Sequence, residues 1–467
     1  MPAFRLKSST DARWELSDPT GCRNRSHKAN RSLTIHTCMD NNPLFKRECI
    51  TIESGGPAPR NADVQAAIDA VAGRGGGTVL LEAGEFLLWD TIRLRPDVRL
   101  AGTGEVILRR PETLAFAAVK CDVDVGEFGF SPDDPDRFEP GMGVCFHDRE
   151  RGWSHTSDPL TVVSIVDGRA FVHEMNLADR LAENGAIAVN AFPMVLGIRA
   201  DRALVENLTI DAAVTPPADM PRIPTHGLYL YRSRLCTLRN LIVRNAPGDG
   251  ICFGKASLHT TIEACETHHN GNYGIHPGSH SAHCTVRECR IHNNASDGLY
   301  ICWGIHHSLF ADNEIYDNGL GIWRSGISIG HKDTDNRITG NRIHGNAKYG
   351  ICIRPKTQAN GAHRNTFENN RIENNGRDPQ GMPEFVRRLP ADELVSCGIH
   401  INGITDGIVL ERNTIRETRS DQERWQRHAI IIDPGVTNLT CNANTVDPHP
   451  GEPILDTRSG KTEVGSR

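Results

Sequence analysis

The chain has 467 residues and a formal net charge of −6, from 52 Lys and Arg against 58 Asp and Glu, so no basic surface of the kind that tracks a nucleic-acid backbone is expected. No apolar run approaches the ~18 residues of a membrane-spanning helix. Fourteen cysteines without a C-x-x-C pair, behind a polar start that lacks the apolar stretch of a secretory signal, predict free thiols in a reducing compartment, cytoplasmic by default.

In chain order, residues 1–50 read as a polar N-terminal extension of little structural consequence. Residues 51–110 carry an amphipathic helix in NADVQAAIDAVAGRGGG, from Asn61, and then strands in TVLLEAGEFLL and TIRLRPDVRLAGTG. A helix there is placed to cover the open first coil of a solenoid. Across residues 111–195 no long period survives. FEPGMGVCFHD and DPLTVVSIVDGRAFVH alternate around Asp-Gly turns and read as hairpins of a small inserted β subdomain, a lateral buttress without chemistry of its own.

Residues 196–450 repeat, and 451–467 form a tail. Glycines at 227, 250, 274, 298, 326, 350 and 398 each open a short apolar strand, at intervals of 23, 24, 24, 28, 24 and 48 residues, and AIIID from Ala429 extends the series. A unit of this length with period-2 alternation and no helical period is one coil of a parallel β-helix with strands ~4.8 Å apart, so roughly ten coils from Thr91 to Val446 make a rod ~50 Å long. Alternation turns Ile251, Phe253, Leu299, Ile301, Ile327, Ile329, Ile351, Ile353, Ile399 and Ile401 inward. Most coils also carry N-x-[IV]-x-x-N, at Asn240–Asn245, Asn313–Asn318, Asn341–Asn346 and Asn370–Asn375, with Cys265 and Cys289 replacing the first Asn in two copies. Stacked at one corner, such amides donate to and accept from one another. The predicted fold class is all-β: a single-stranded right-handed parallel β-helix with an N-terminal capping helix and a small inserted β subdomain, its hand following from the rule for parallel crossovers.

The helix, GGGTVLLEAGEF and TIRLRPDVRLAGTG resemble the N-terminal region of the pectate-lyase-like superfamily of right-handed β-helix proteins, over residues 60–110 and, through the repeats, 196–446. That resemblance implies the fold and leaves the reaction open, because the superfamily holds lyases, hydrolases, epimerases and tailspikes.

Insertions at 211–226, 319–325, 376–397 and 416–428 all end just before the glycine-led strand of the next coil, which predicts a walled groove beside that column. Its outward positions carry His, Tyr, Arg and Lys, groups suited to an anionic polysaccharide. YGIHPGSH, Tyr273 to His280, followed one coil later by SDGLYICW, resembles the YGFDPH segment of mannuronan epimerases. The family tyrosine falls on Tyr273, its aspartate on His276, its histidine on Gly278 and the aspartate of the next coil on Cys302, so only the tyrosine is retained.

By side-chain chemistry the expected catalytic residues are His276 as base, Tyr273 or Tyr300 as acid, and Lys255 to neutralise the uronate carboxylate. Tyr231, His280, Trp303, His331, Lys332, Arg354, Lys356 and His400 are expected to bind substrate, with Arg354 about three coils, ~14 Å, from His276. An inverting hydrolase using Asp249 and Asp297, two coils or ~10 Å apart, is the alternative, and a non-catalytic glycan-binding or attachment β-helix is a third. No metal is assigned. His276, His280 and His283 do not converge off a helix, and DTDN at 333–336 is the one compact acidic patch near the groove for calcium, the only cofactor considered.

Overall fold

A computed structural model describes residues 33–36, 49–54 and 60–458. The glycine-led segments form one continuous parallel sheet of eleven strands, from Ile92–Arg93 through Ile251–Gly254, Ile275–Pro277, Leu299–Cys302, Ile327–Gly330 and Tyr349–Ile353 to Ile454–Asp456. From Thr261 on, each coil then bends through two further short strands, such as Thr261–Glu263 and Glu266–His268, which pair in register with Thr285–Arg287 and Arg290–His292 of the next coil. Every strand is therefore hydrogen-bonded to its counterparts in the coils before and after, which satisfies the backbone without helices.

All ten residues expected inward are completely buried, and they join one apolar cluster running from Ile50 to Val436. Burying each such isoleucine or leucine contributes about 1.5–3 kcal/mol. Helix Asn61–Ala72 buries Val64, Ala67, Ile68 and Val71 against the N-terminal end of this cluster.

The asparagines build two ladders rather than one. Asn313 donates to Asn341, Asn341 to Asn370, Asn370 to Asn413 and Asn413 to Asn444, at 2.9–3.0 Å. Five residues further along each coil, Asn270, Asn294, Asn318, Asn346 and Asn375 chain in the same way and end on Gln426. Cys265 and Cys289 stand in the first ladder and send their thiols to the carbonyls of Leu238 and Ile262, as Asn341 sends its amide to Phe310. The copy at Asn240–Asn245 departs from expectation. Thr237–Arg244 is one unbroken strand whose register aligns Leu241 with Cys265, so Asn240 and Asn245 fall one position early, in left-handed conformation at φ 50° and 59°. The twelve cysteines among the described residues are all free thiols.

One departure concerns the N-terminal flank. Strand Leu33–His36 lies inside the segment read as an extension and pairs antiparallel with Cys49–Ile52, which pairs in turn with Gly77–Leu81. LTIH and CITI alternate like any strand, but stand too far from the repeats to be read with them. Residues 116–189 form a seven-stranded antiparallel sheet around Phe130, Phe138 and Phe146, which meet edge to face at 5.2–5.3 Å. Among the described residues no helix is long and apolar enough to cross a membrane.

Candidate functional site

Two positions in each coil generate the site: the residue before the glycine and the residue two after it. The first position of one coil meets the second position of the next. Asp249 thus meets His276, Tyr273 meets Tyr300, and Tyr349 meets His400.

His276 Nδ1 lies 2.8 Å from Asp249 Oδ2, and the same carboxylate accepts from Asn272 at 2.7 Å and touches His226 at 3.4 Å. Burial opposes a charge on Asp249, but His226 and His276 outweigh it and hold its carboxyl well below the ordinary range. Burial likewise opposes a charge on His276, yet Cys252 and Asp249 beside it, with the hydrogen bond to Asp249, raise its pKa well above that of a free histidine. His226 goes the other way, lowered by burial. When the imidazole is neutral, with Nδ1–H donating to Asp249, the lone pair of His276 resides on Nε2. This is the tautomer a general base requires.

Tyr273 and Tyr300 stack face to face, 3.9 Å apart and 3° from parallel, and both rings meet His276 edge-on at 5.1 and 5.2 Å. Burial raises both phenols above their ordinary pKa, and Arg354 opposes the rise on Tyr300. The Arg354 guanidinium sits 4.2 Å from the Tyr300 ring centroid. It reaches back across the coils to donate to Ser328 at 2.8 Å and to the carbonyl of Ile301 at 2.6 Å, while its Nε makes no hydrogen bond. Gly330 makes this reach possible: a Cβ there would stand 3.1 Å from Arg354 Nε. Asp333, 3.6 Å from the guanidinium, is raised by burial to about 7, so it only partly cancels the arginine charge at neutral pH.

Tyr273, Asp297, Tyr300, Trp323, Arg324, Lys348, Tyr349, Arg354 and Lys356 line a cavity of about 290 Å³. An adjoining cavity of about 590 Å³ is lined by Trp303, His331, Lys332 and Lys356, and shares Pro355 and Lys356 with the first. Trp323, on the insertion at 319–325, packs with Met382 and Val386 of the insertion at 376–397. Two of the coil insertions thus hold the wall together by an apolar contact.

Several expected residues lie elsewhere. Lys255 is exposed in a left-handed turn at φ 54° and lines neither cavity. Paired left-handed residues end several of these strands, as at Lys255–Ala256, Ser279–His280 and His331–Lys332, and carry them around the corner rather than along the strand face. Arg354, expected far from His276, is instead two ring contacts away. His280 is exposed and its ring rests on Gly304, His283 stacks on His259 at 5.0 Å, and neither joins His276. Tyr231 contacts Tyr229 and Arg232 toward the N-terminal end. Asp249 and Asp297 are both 2% exposed. Asp249 has its oxygens occupied, and Asp297, raised by burial, lines the smaller cavity and accepts from Ser325 N at 2.9 Å. DTDN is used internally as well: Asp333 accepts from Ile305 N and Gly330 N, and Asp335 binds Arg364 with both oxygens. His226, Asp249 and Cys252 bring ligand atoms within 4.8 Å of one another, a nitrogen, oxygen and sulfur set unlike the all-oxygen shell of calcium. The sequence reading missed Lys348, Tyr349 and Arg324, whose signal was the column just before each glycine read as a whole.

Residues 226–415 match the family model described as a right handed beta helix region. The fold is a right-handed parallel β-helix. No curated protein matches the sequence significantly. Among solved β-helices, the A-module of mannuronan C-5 epimerase AlgE4 from Azotobacter vinelandii superposes with a TM-score of 0.51 at 16% identity, over 86% of this chain and 96% of that one. The A-module of epimerase AlgE6 from the same organism gives 0.50 at 14%, over 86% and 97%. The Dettilon tailspike protein gives 0.52 at 13%, over 87% of this chain and 68% of that one. At these identities the likeness is one of fold.

Proposed function

We propose that the groove binds a uronate-containing polysaccharide and that His276 removes the proton beside the sugar carboxylate, as in elimination or epimerisation. The observation that carries this reading is the hydrogen bond from His276 Nδ1 to Asp249, which leaves Nε2 as the basic atom of an imidazole whose ring meets two stacked phenols edge-on, the outer one under an arginine. Arg354, held over the Tyr300 ring by Ser328 and the Ile301 carbonyl, supplies the positive charge that neutralises the carboxylate and so favours loss of the adjacent proton. In elimination that proton passes to His276 Nε2, the bond to the leaving oxygen breaks, and Tyr300, backed by Tyr273, protonates that oxygen as a double bond forms. In epimerisation the phenol returns a proton to the opposite face of the same carbon. Burial raises both phenols above their ordinary range, which keeps the proton on the acid.

Four cations and one acidic residue line the smaller cavity, which favours an anionic chain. Mannuronan, the polymer after which the AlgE4 epimerase is named, is therefore included beside other substrates in the test. The protein is incubated with mannuronan, alginate, polygalacturonate and neutral glucans. Unsaturated uronate is followed by ultraviolet absorbance, epimerisation by proton exchange in deuterium oxide, and hydrolysis by reducing ends. Turnover of a uronate polymer that falls ~100-fold or more in His276→Ala is expected. Reducing ends without unsaturation or exchange would refute proton abstraction, and binding without any product would support the non-catalytic glycan-binding reading.

A further inference from the structure

A second set of side chains repeats the arrangement around His276 further along the rod. Around His276 a cation lies over a tyrosine ring (Arg354 on Tyr300, 4.2 Å), the ring meets a histidine edge-on (5.2 Å, 78°), and the histidine binds an aspartate (2.8 Å). Four strands on along the same sheet, Lys348 lies 4.9 Å from the Tyr349 ring centroid, Tyr349 meets His400 at 5.1 Å and 72°, and His400 Nε2 lies 3.1 Å from Asp433 Oδ1. Tyr300, Arg354, Lys348 and Tyr349 all line the one cavity of about 290 Å³.

We propose that Lys348 and Tyr349, steadied by the His400–Asp433 pair, form a second subsite that grips the carboxylate of a neighbouring uronate of the same chain. This rests on the function proposed above. The strand register from His276 through Tyr300, Ser328 and Cys352 to His400 places the two histidines four coils, ~19 Å, apart, while Tyr300, Arg354, Lys348 and Tyr349 converge on the cavity between them.

The difference between the sets assigns binding rather than chemistry to the second. Its aspartate holds Nε2 instead of Nδ1, and the remaining nitrogen, Nδ1, is buried without a partner, so no basic atom faces a substrate. What faces the cavity is an ammonium and a phenol. His400 is a positioning residue here: it holds the ring on which Lys348 rests.

The test uses the full chain with heptamers of mannuronate, guluronate and galacturonate, each beside its carboxyl-reduced neutral counterpart, on wild type, Lys348→Met, Lys348→Arg and His276→Ala. Calorimetric binding and, where turnover occurs, kcat and KM are measured. Lys348→Met is expected to weaken binding of an acidic heptamer about tenfold, the loss of one charge-assisted contact. Tm should stay unchanged, with Lys348→Arg restoring most of the affinity. A side chain that only held the fold together would move binding of the neutral counterpart and Tm as well. Heptamer binding without turnover in wild type, weakened by Lys348→Met, would overturn the catalytic reading and leave the subsite standing. The subsite is overturned if Lys348→Met binds the acidic heptamer as tightly as wild type, if acidic and neutral heptamers lose affinity equally, or if wild type binds no oligouronate.

Discussion

Replacing Asp249 by Asn tests the catalytic assignment at its centre. The carboxylate makes the 2.8 Å contact to His276 Nδ1 and is itself held by Asn272 at 2.7 Å and His226 at 3.4 Å. Asparagine keeps the shape but removes the charge and turns one of its two contact atoms into a donor, so the imidazole no longer has a unique tautomer. Removing a general base costs ~10²–10⁴ in rate, and neutralising the aspartate of a His–Asp pair approaches ~10⁴, so kcat is expected to fall by at least ~100-fold with KM little changed. The pH dependence gives a second readout. A base works unprotonated, and Asp249 is among the groups that raise His276 above its ordinary value. The ascending limb of kcat in wild type therefore lies above the free-histidine range and must move to lower pH in Asp249→Asn. Stability follows the same linkage: the raised His276 stabilises the fold below the free-histidine pKa and loses that contribution as pH rises through its folded value. The depressed Asp249 contributes above the free-carboxylate pKa and loses its share as pH falls through its folded value. The assay is kcat and KM against pH for both proteins, with thermal melts alongside. Wild-type kcat in Asp249→Asn, or a limb displaced upward, would falsify the dyad.

Asn341→Ala removes bonds to Asn370 and to the carbonyls of Phe310 and Thr339, and leaves the amide of Asn313 without its acceptor; a loss of ~2–3 kcal/mol is expected by denaturant titration, with substrate binding untouched. An unchanged unfolding midpoint would show that the ladder carries no stability. Arg354→Ala should lower kcat as well as affinity, because the guanidinium lies over Tyr300 rather than at a remote sugar; a pure KM effect in steady-state kinetics would return it to the distant role. Asp297→Asn should leave turnover at the wild-type level and raise no reducing-end defect, since its carboxyl is buried and bonded to Ser325 N. Abolished activity there would move the chemistry to the carboxylates.

The inward half of each strand was legible because burial imposes it: Ile351 and Ile353 must alternate with Cys352 whatever the protein does. The ladder at Asn341 was legible for the same reason, since an unpaired amide at a buried corner is costly. Its first copy was misplaced by one residue because Thr237–Arg244 runs straight where later coils break into two strands, and the motif letters match in either register. Lys255 failed for a conformational reason. Counting by two past the end of a strand assumes extended backbone, and at Lys255 the chain has already turned left-handed. Arg354 failed because counting coils locates a Cα, whereas a guanidinium spans the intervening strand when a glycine such as Gly330 lets it lie flat.

Why the site escaped a reading of local motifs follows from the geometry of stacking. In a helix of 24-residue coils the chemistry-bearing neighbours are diagonal: Asp249 and His276, or Tyr273 and Tyr300, stand 27 residues apart because one lies before its glycine and the other two positions beyond the next. A window such as YGIHPGSH therefore contains Tyr273 and His276 but neither of the partners that give them their properties, Tyr300 and Asp249. Those partners sit in different coils, one on each side. Each coil contributes half of two pairs, so a change in one coil alters proton transfer only through the coil above or below it. The same diagonal, applied at Tyr349, leads to His400 across the long insertion at 376–397, a separation of 51 residues that no fixed sequence spacing would have suggested. Insertions change the count along the chain without changing the register across the sheet, and it is the register that brings Lys348, Tyr349, His400 and Asp433 into the order already built around His276.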